Sequence, residues 1–126
     1  MKSIMVSRDS YFKAYIVHLI LNGNVEYALN LLSKYHNISP PRVRVKRVKG
    51  CSRALAVYSL RDKTIYIQSG EYYSNPFVIL HEYYHHLRNY GGVHRGTEYK
   101  ADEYALDFIN EYRRVVKSLL KESSKK

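Results

Sequence analysis

The segment His81-Glu82-Tyr83-Tyr84-His85 holds two histidines and a glutamate in the pattern HExxH, which could bind a metal ion and move a proton. On a helix, a spacing of four residues places both imidazoles on one face, where they can bind the same ion. Glu82 lies about 100° further round the helix, so it can act as a general base without binding the metal. Neutral imidazoles and a carboxylate suit Zn²⁺, and catalytic zinc sites have three protein ligands. The motif therefore predicts one zinc ion per chain, with a third ligand elsewhere.

Acidic residues that could supply the third zinc ligand follow the motif, at Glu98, Asp102 and Glu103. When two carboxylates lie one helical turn apart, the first can bind the metal while the second accepts the free ring N–H of a histidine ligand. In a simple antiparallel pair of helices, counting the rise places Asp102 or Glu103 level with His85. A connection that doubles back places Glu98 there instead. The spacing therefore leaves Glu98 and Glu103 as alternative third ligands.

The first forty residues have the periodicity of two helices. Apolar residues recur at helical spacing over about 10–21, where Asp9 or Ser10 could cap the helix, and again over 25–35. Asn22-Gly23-Asn24 separates the two segments, because glycine and asparagine tolerate the left-handed conformation of a helix end.

The period then changes to that of strands. Residues 42–46 alternate strictly, which predicts a strand with Val43 and Val45 facing inward. Residues 54–60 are apolar on both faces, as expected of a central strand, and residues 64–68 form the returning strand.

Helical signals resume before the HExxH motif. Asn75 is a good N-cap and Pro76 a good first residue for a helix that runs to Tyr90, and Thr97 or a neighbour could cap a last helix over about 98–120. The order of two helices, three strands and two helices predicts one α+β domain. Its predicted parts are a helical N-terminal part (1–40), a sheet (41–70), the HExxH helix (75–90) and the third-ligand helix (97–121).

The letters HEYYH, followed downstream by EYKADEYA, resemble the gluzincin metallopeptidases. The chain looks most similar to the minigluzincins and the ImmA/IrrE-type peptidases, whose second motif reads roughly E-x-x-A-(N/D)-x-F-A. Four positions match that motif and Tyr104 replaces its phenylalanine; the matching residues are Glu98, Ala101, Asp102 and Ala105. The resemblance covers about residues 54–110 and implies a small zincin-like domain.

This resemblance implies a zinc metalloendopeptidase. His81, His85 and Glu98 would bind the zinc ion, Asp102 would orient a histidine ligand, and Glu82 would act as general base and then general acid in peptide-bond hydrolysis. Four residues are candidate donors to the oxyanion, with no basis for choosing among them: Tyr84, His94, Arg95 and Tyr99. A latent protein, with a chain segment or a dimer partner in the cleft, is a further hypothesis.

The charge of the chain is strongly basic and unevenly distributed. Lys and Arg number 21 against 11 Asp and Glu, a formal net charge of +10, and no acid lies between Glu26 and Asp62. This field would attract nucleic acid, and the candidate surface comprises Arg42, Arg44, Lys46, Arg47 and Lys49. The alternative interpretation is a solvated edge strand whose charges prevent aggregation. The alternative function is accordingly a nucleic-acid-associated basic protein whose zinc site is regulatory or latent.

Length and composition exclude several other classes. A chain of 126 residues, 45% of them hydrophobic, is expected to fold as one domain, and its apolar stretches are too short to span a membrane. The single cysteine, Cys51, cannot form an internal disulfide. We therefore expect a cytoplasmic protein. Its expected partners are a peptide or protein substrate, nucleic acid through the basic strand, and a second copy of the chain in a homodimer.

Overall fold

The computed structural model describes residues 6–50, 54–89 and 97–123, and in this part of the chain it has the predicted α+β class. Four α-helices and one short 3₁₀ helix accompany a three-stranded mixed sheet. The elements are α1 (Arg8–Leu21), α2 (Val25–His36), β1 (Arg42–Val45), β2 (Ala56–Ser59), β3 (Thr64–Ile67), the 3₁₀ helix (Gly70–Tyr72), α3 (Pro76–Asn89) and α4 (Thr97–Ser123). No helix within these ranges is long and apolar enough to cross a membrane.

The sheet has the order β1-β3-β2, with β1 parallel and β2 antiparallel to β3. The prediction that residues 54–60 form the central strand is therefore wrong: β2 lies at an edge and β3 at the centre. Side chains explain the difference, since Ile65 and Ile67 of β3 are fully buried whereas Val57 and Tyr58 of β2 are only half-buried. An apolar segment indicates that its side chains are buried. It does not indicate whether the strand has a hydrogen-bonded neighbour on both sides.

Capping residues determine where the helices begin. Asn75 caps α3 as predicted, because its Oδ1 accepts hydrogen bonds from the backbone N–H of Phe77 at 3.0 Å and of Val78 at 3.2 Å. The cap of α1 differs from the prediction: Ser7 precedes the helix, and its Oγ accepts the N–H of Ser10 at 3.1 Å. A hydroxyl three residues before its donor is the usual N-cap geometry, which Asp9 and Ser10 inside the helix cannot supply.

Helix α3 lies between the sheet and α4, so both of its sides are fixed by packing. Tyr83, in the middle of α3, is fully buried, and its hydroxyl lies 3.0 Å from Ser33 Oγ of α2. The core around it is built from both layers: Ile16, Ile20, Leu29, Leu32, Ile65, Ile67, Ile79 and Leu80. The HExxH segment therefore lies on one of the most constrained elements of the molecule.

A buried polar network joins α3 to the sheet. His86 Nδ1 lies 2.7 Å from the hydroxyl of Tyr58 on β2, and its Nε2 lies 2.8 Å from the backbone carbonyl oxygen of Ser39. A carbonyl can only accept, so Nε2–H donates to Ser39 and Nδ1 accepts from Tyr58. Burial lowers the pKa of His86, which favours this neutral form.

Candidate metal centre

One face of α3 and the first turn of α4 bring His81, His85 and Glu98 together, with one ligand atom of each within 4.8 Å of the others. The Glu98 carboxylate lies between the two imidazoles. Its Oε1 is 2.9 Å from His81 Nε2, and its Oε2 is 3.0 Å from His85 Nε2. The two rings meet edge to face with centroids 5.0 Å apart. The arrangement presents two nitrogen donors and a carboxylate towards one point.

This donor set could hold a metal ion, and two imidazoles with a carboxylate are the kind of ligands that zinc takes. Ligands about 2.0–2.2 Å from a tetrahedral ion lie about 3.3–3.5 Å from one another, slightly further apart than the present hydrogen-bond distances. The Glu98 side chain is 76% exposed, so its carboxylate can move outward without disturbing the core. Burial lowers the pKa of His85, which favours the neutral imidazole that a metal requires.

Asp102, one turn after Glu98, holds the other side of the His81 ring. Its Oδ1 lies 2.9 Å from His81 Nδ1, while His81 Nε2 faces Glu98. With the proton on Nδ1, His81 donates to Asp102 and presents the Nε2 lone pair to the candidate metal position. A carboxylate in this place fixes both the tautomer and the orientation of a histidine ligand.

Glu82 is buried beside the cluster, with its Oε2 4.0 Å from His81 Nε2. Burial, reinforced by the negative charge of Glu98, raises the pKa of Glu82 to about 7, although His81 and a backbone hydrogen bond from Tyr58 act in the opposite direction. A carboxyl group that exchanges its proton near neutral pH is suited to general acid–base catalysis. It faces the same space as the three candidate ligands.

The alternative third ligand, Glu103, lies outside the cluster. It is exposed on α4 and accepts a hydrogen bond from Tyr99, which raises the pKa of that tyrosine. Counting the rise suggested Glu103 because it assumed that α4 begins level with the end of α3. Instead, α3 continues to Asn89, and α4 begins beside His85, where Thr97 Oγ1 lies 3.4 Å from His85 Nδ1. This offset of about one turn brings Glu98 to the histidines.

Two neighbouring cavities flank the cluster, with volumes of about 240 and 420 Å³. Both are lined by Ala54, Ala56, Glu82 and Glu98, so the two carboxylates lie where the cavities meet. The side of β2 that faces away from β3 therefore forms one wall of the cleft. The sequence interpretation missed this role of residues 54–58 because it placed them in the middle of the sheet.

The other predicted functional residues lie elsewhere. The five basic residues from Arg42 to Lys49 are all exposed on β1 and the segment after it, at the sheet edge opposite β2. Among the candidate oxyanion donors, Tyr84 packs against Tyr104, with ring centroids 5.3 Å apart, and no described contact favours it for that role. His94, Arg95 and Cys51 lie outside the described residues.

Comparison with known proteins gave no match: neither a family model, nor a curated protein, nor a solved structure matches this chain.

Proposed function

We propose that this protein is a zinc-dependent metallopeptidase of the gluzincin kind that its HExxH motif resembles, with a small zincin-like domain. The observation that carries the proposal is the convergence of His81, His85 and Glu98 within 4.8 Å, with the buried carboxyl group of Glu82 beside them. Two imidazoles and a carboxylate leave a fourth position open, which is the arrangement of catalytic zinc sites.

The mechanism assigns a separate role to each side chain. Zinc held by His81, His85 and Glu98 would supply Lewis-acid polarisation of a peptide carbonyl and of water. Glu82 accepts the proton of the attacking water and then donates it to the amine that leaves. Burial raises the pKa of Glu82 above the ordinary value of a glutamate, which favours its uptake of a proton from water.

The edge of β2 that faces away from β3 in the described sheet supports an extended peptide as substrate. Gln68 N–H donates to the carbonyl of Leu55 at 3.0 Å, and antiparallel pairing alternates along the strand. The backbone groups of Ala56 and Tyr58 therefore point away from β3 towards the cleft, where the backbone of Tyr58 already holds the Glu82 carboxylate. An added strand could pair with the backbone of Ala56 and run from one cavity to the other across Glu82, which suits cleavage within a chain.

Zinc content and peptide cleavage test the proposal together. Protein purified without added metal should contain about one zinc per chain by elemental analysis and should cleave an unfolded protein or a mixed peptide library. Glu82→Gln should retain the zinc and lose cleavage by a factor of about 10² or more, since it removes the general base. Glu98→Ala should lose the zinc, and Glu103→Ala, the matched control five residues along α4, should keep both zinc and cleavage.

Two results would contradict the proposal in different ways. Cleavage at the wild-type rate by Glu82→Gln would exclude the proposed mechanism. If the wild-type protein holds one zinc and cleaves no peptide, the proposed metal site would stand and the proposed peptidase activity would be wrong.

A further inference from the structure

The face of the sheet that points away from α3 carries Tyr66 among basic side chains. Ile65 and Ile67 are fully buried against the helices, so Tyr66 between them points to the other face. The parallel register pairs Arg44 with Tyr66, and Arg44 is exposed. A half-buried tyrosine and an exposed arginine therefore occupy paired positions on this face of the sheet.

Basic residues continue along the chain beyond β1. The backbone N–H of Lys46 donates to the carbonyl of Ile67 at 2.8 Å, and that of Val48 donates to Gln68 Oε1 at 2.8 Å. These bonds keep the segment along the sheet edge after the regular strand ends. Five cations along β1 and this segment are exposed: Arg42, Arg44, Lys46, Arg47 and Lys49.

Tyr66 is held in position by the neighbouring acid. Its hydroxyl donates to Asp62 Oδ2, and Ser59 Oγ donates to Asp62 Oδ1 at 2.9 Å. The bond to Asp62 raises the pKa of Tyr66, and the positive charge of Arg44 opposes that shift. The Asp62 carboxylate is thus occupied by two hydroxyl groups within a basic surface.

We propose that this surface, which we call the basic sheet face and define as the five cations above together with Tyr66, binds single-stranded nucleic acid. The cations would contact consecutive phosphates, and a base would stack on the Tyr66 ring. An ordered aromatic ring among cations favours a strand with unpaired bases over a duplex, whose bases are already stacked. A lipid surface is less suited to it, because the polar end of Tyr66 is tied to Asp62.

The proposal does not depend on the peptidase. The basic sheet face centres on β1 and β3, whereas the metal centre adjoins β2 at the opposite edge. Loss of the zinc site should therefore leave binding of nucleic acid intact.

Fluorescence anisotropy with labelled oligo(dT) or oligo(U) of about 20 nucleotides, at about 50 to 200 mM salt, tests the proposal. The variant Arg42→Gln/Arg44→Gln/Lys46→Gln should bind at least about tenfold more weakly at low salt, and its salt slope should fall by about two. The matched control, Lys34→Gln/Arg113→Gln/Lys117→Gln, removes the same charge from exposed helical positions and should retain most of the affinity. Thermal unfolding checks that each variant is folded.

Tyrosine variants separate stacking from charge. Tyr66→Leu should weaken binding about tenfold with an unchanged salt slope, because it removes the ring and no charge. Tyr66→Phe keeps the ring and should retain most of the affinity. Glu98→Ala should bind like the wild type.

Three outcomes would overturn the proposal. The first is an equal loss in the two triple variants, since attraction by net charge alone would then suffice. The second is tighter binding to a duplex of the same length. The third is binding to phosphatidylserine vesicles that is lost in the Arg42/Arg44/Lys46 variant while oligonucleotide binding is unchanged.

Discussion

At the scale of single residues, carboxylates on both sides hold the imidazole ring of His81 in place. One ring nitrogen faces Glu98 and the other faces Asp102, both at 2.9 Å. In this orientation of the ring, each of the two nitrogens lies at hydrogen-bond distance from a carboxylate oxygen. An imidazole that is already held in the binding orientation loses less conformational entropy when it binds a metal.

Asp102→Asn should therefore weaken zinc binding about 10- to 100-fold, because the amide no longer supplies a charged acceptor for the His81 N–H. Competition with a chromogenic chelator measures the change. Asp107→Asn is the matched control, since that carboxylate pairs with Lys13 and lies away from the histidines. Equal affinity of Asp102→Asn and wild type would show that Asp102 does not orient the ligand.

Tyr104, in contrast to His81, has a polar atom that makes no described hydrogen bond. Its hydroxyl is buried and has no hydrogen-bond partner among the described residues, while its ring packs against Tyr84 and Phe108. Burial raises the pKa of Tyr104 strongly. An unpaired buried hydroxyl carries a desolvation penalty that phenylalanine avoids. In the motif that this chain resembles, phenylalanine stands at the same position.

We expect Tyr104→Phe to raise the free energy of unfolding by about 1 kcal/mol. Tyr83→Phe, one helix away, should lower it by about 1 kcal/mol, because Ser33 would lose its buried partner. Urea denaturation of the two variants provides the comparison. Destabilisation by Tyr104→Phe would mean that its hydroxyl is satisfied in solution.

At the scale of elements, His86 connects three parts of the chain. It ties α3 to Tyr58 of β2 and to the carbonyl of Ser39 before β1. The backbone of Tyr58 in turn holds the Glu82 carboxylate. His86 thus adds directed bonds to the packing that sets the relative position of α3 and β2, which form two walls of the cleft.

His86→Phe should lower the free energy of unfolding by about 3 kcal/mol, because it leaves the Ser39 carbonyl and the Tyr58 hydroxyl without this partner. Tyr58→Phe should cost less, about 1 kcal/mol, since it removes the bond to His86 and leaves the bond between His86 and Ser39. The double variant completes a thermodynamic cycle. Strictly additive effects would contradict the direct bond between the two side chains.

A sequence can predict features that depend on one helix, but it does not predict how far one helix is displaced along another. The i, i+4 spacing of His81 and His85 and the Asn75 cap depend on one helix, and the structure has that helix almost as predicted. The choice between Glu98 and Glu103 depends on how far α4 is displaced along α3, and no local pattern encodes that distance. The edge position of β2 was missed for the same reason, since strand order is decided by long-range pairing.

At the scale of the whole molecule, acid stability depends on histidines that are kept neutral by burial. His36, at the end of α2, packs against Tyr35 and Tyr83 with ring centroids 5.1 and 6.4 Å away. Burial lowers the pKa of His36 below its ordinary value of 6.5. As pH falls through about 6.5, the unfolded chain takes up the proton first, so the free energy of unfolding decreases.

His36→Gln should therefore show a shallower loss of stability between about pH 7 and pH 5 than the wild type, because one of the responsible groups is removed. Urea denaturation across this range, with EDTA present so that no metal contributes, measures the two slopes. Equal slopes would show that His36 is not held neutral in the folded protein.

A metal ion bound at the candidate metal centre would also link the two helices across the connection from α3 to α4. His85 and Glu98 lie at its two ends, so an ion bound to both would close a ring of about 13 residues. A covalent bridge across a ring of that size removes chain entropy from the unfolded ensemble worth about 3 kcal/mol. The ion would then be a cross-link as well as a reagent, and a molecule that loses it would lose its chemistry and part of its resistance to unfolding in the same event.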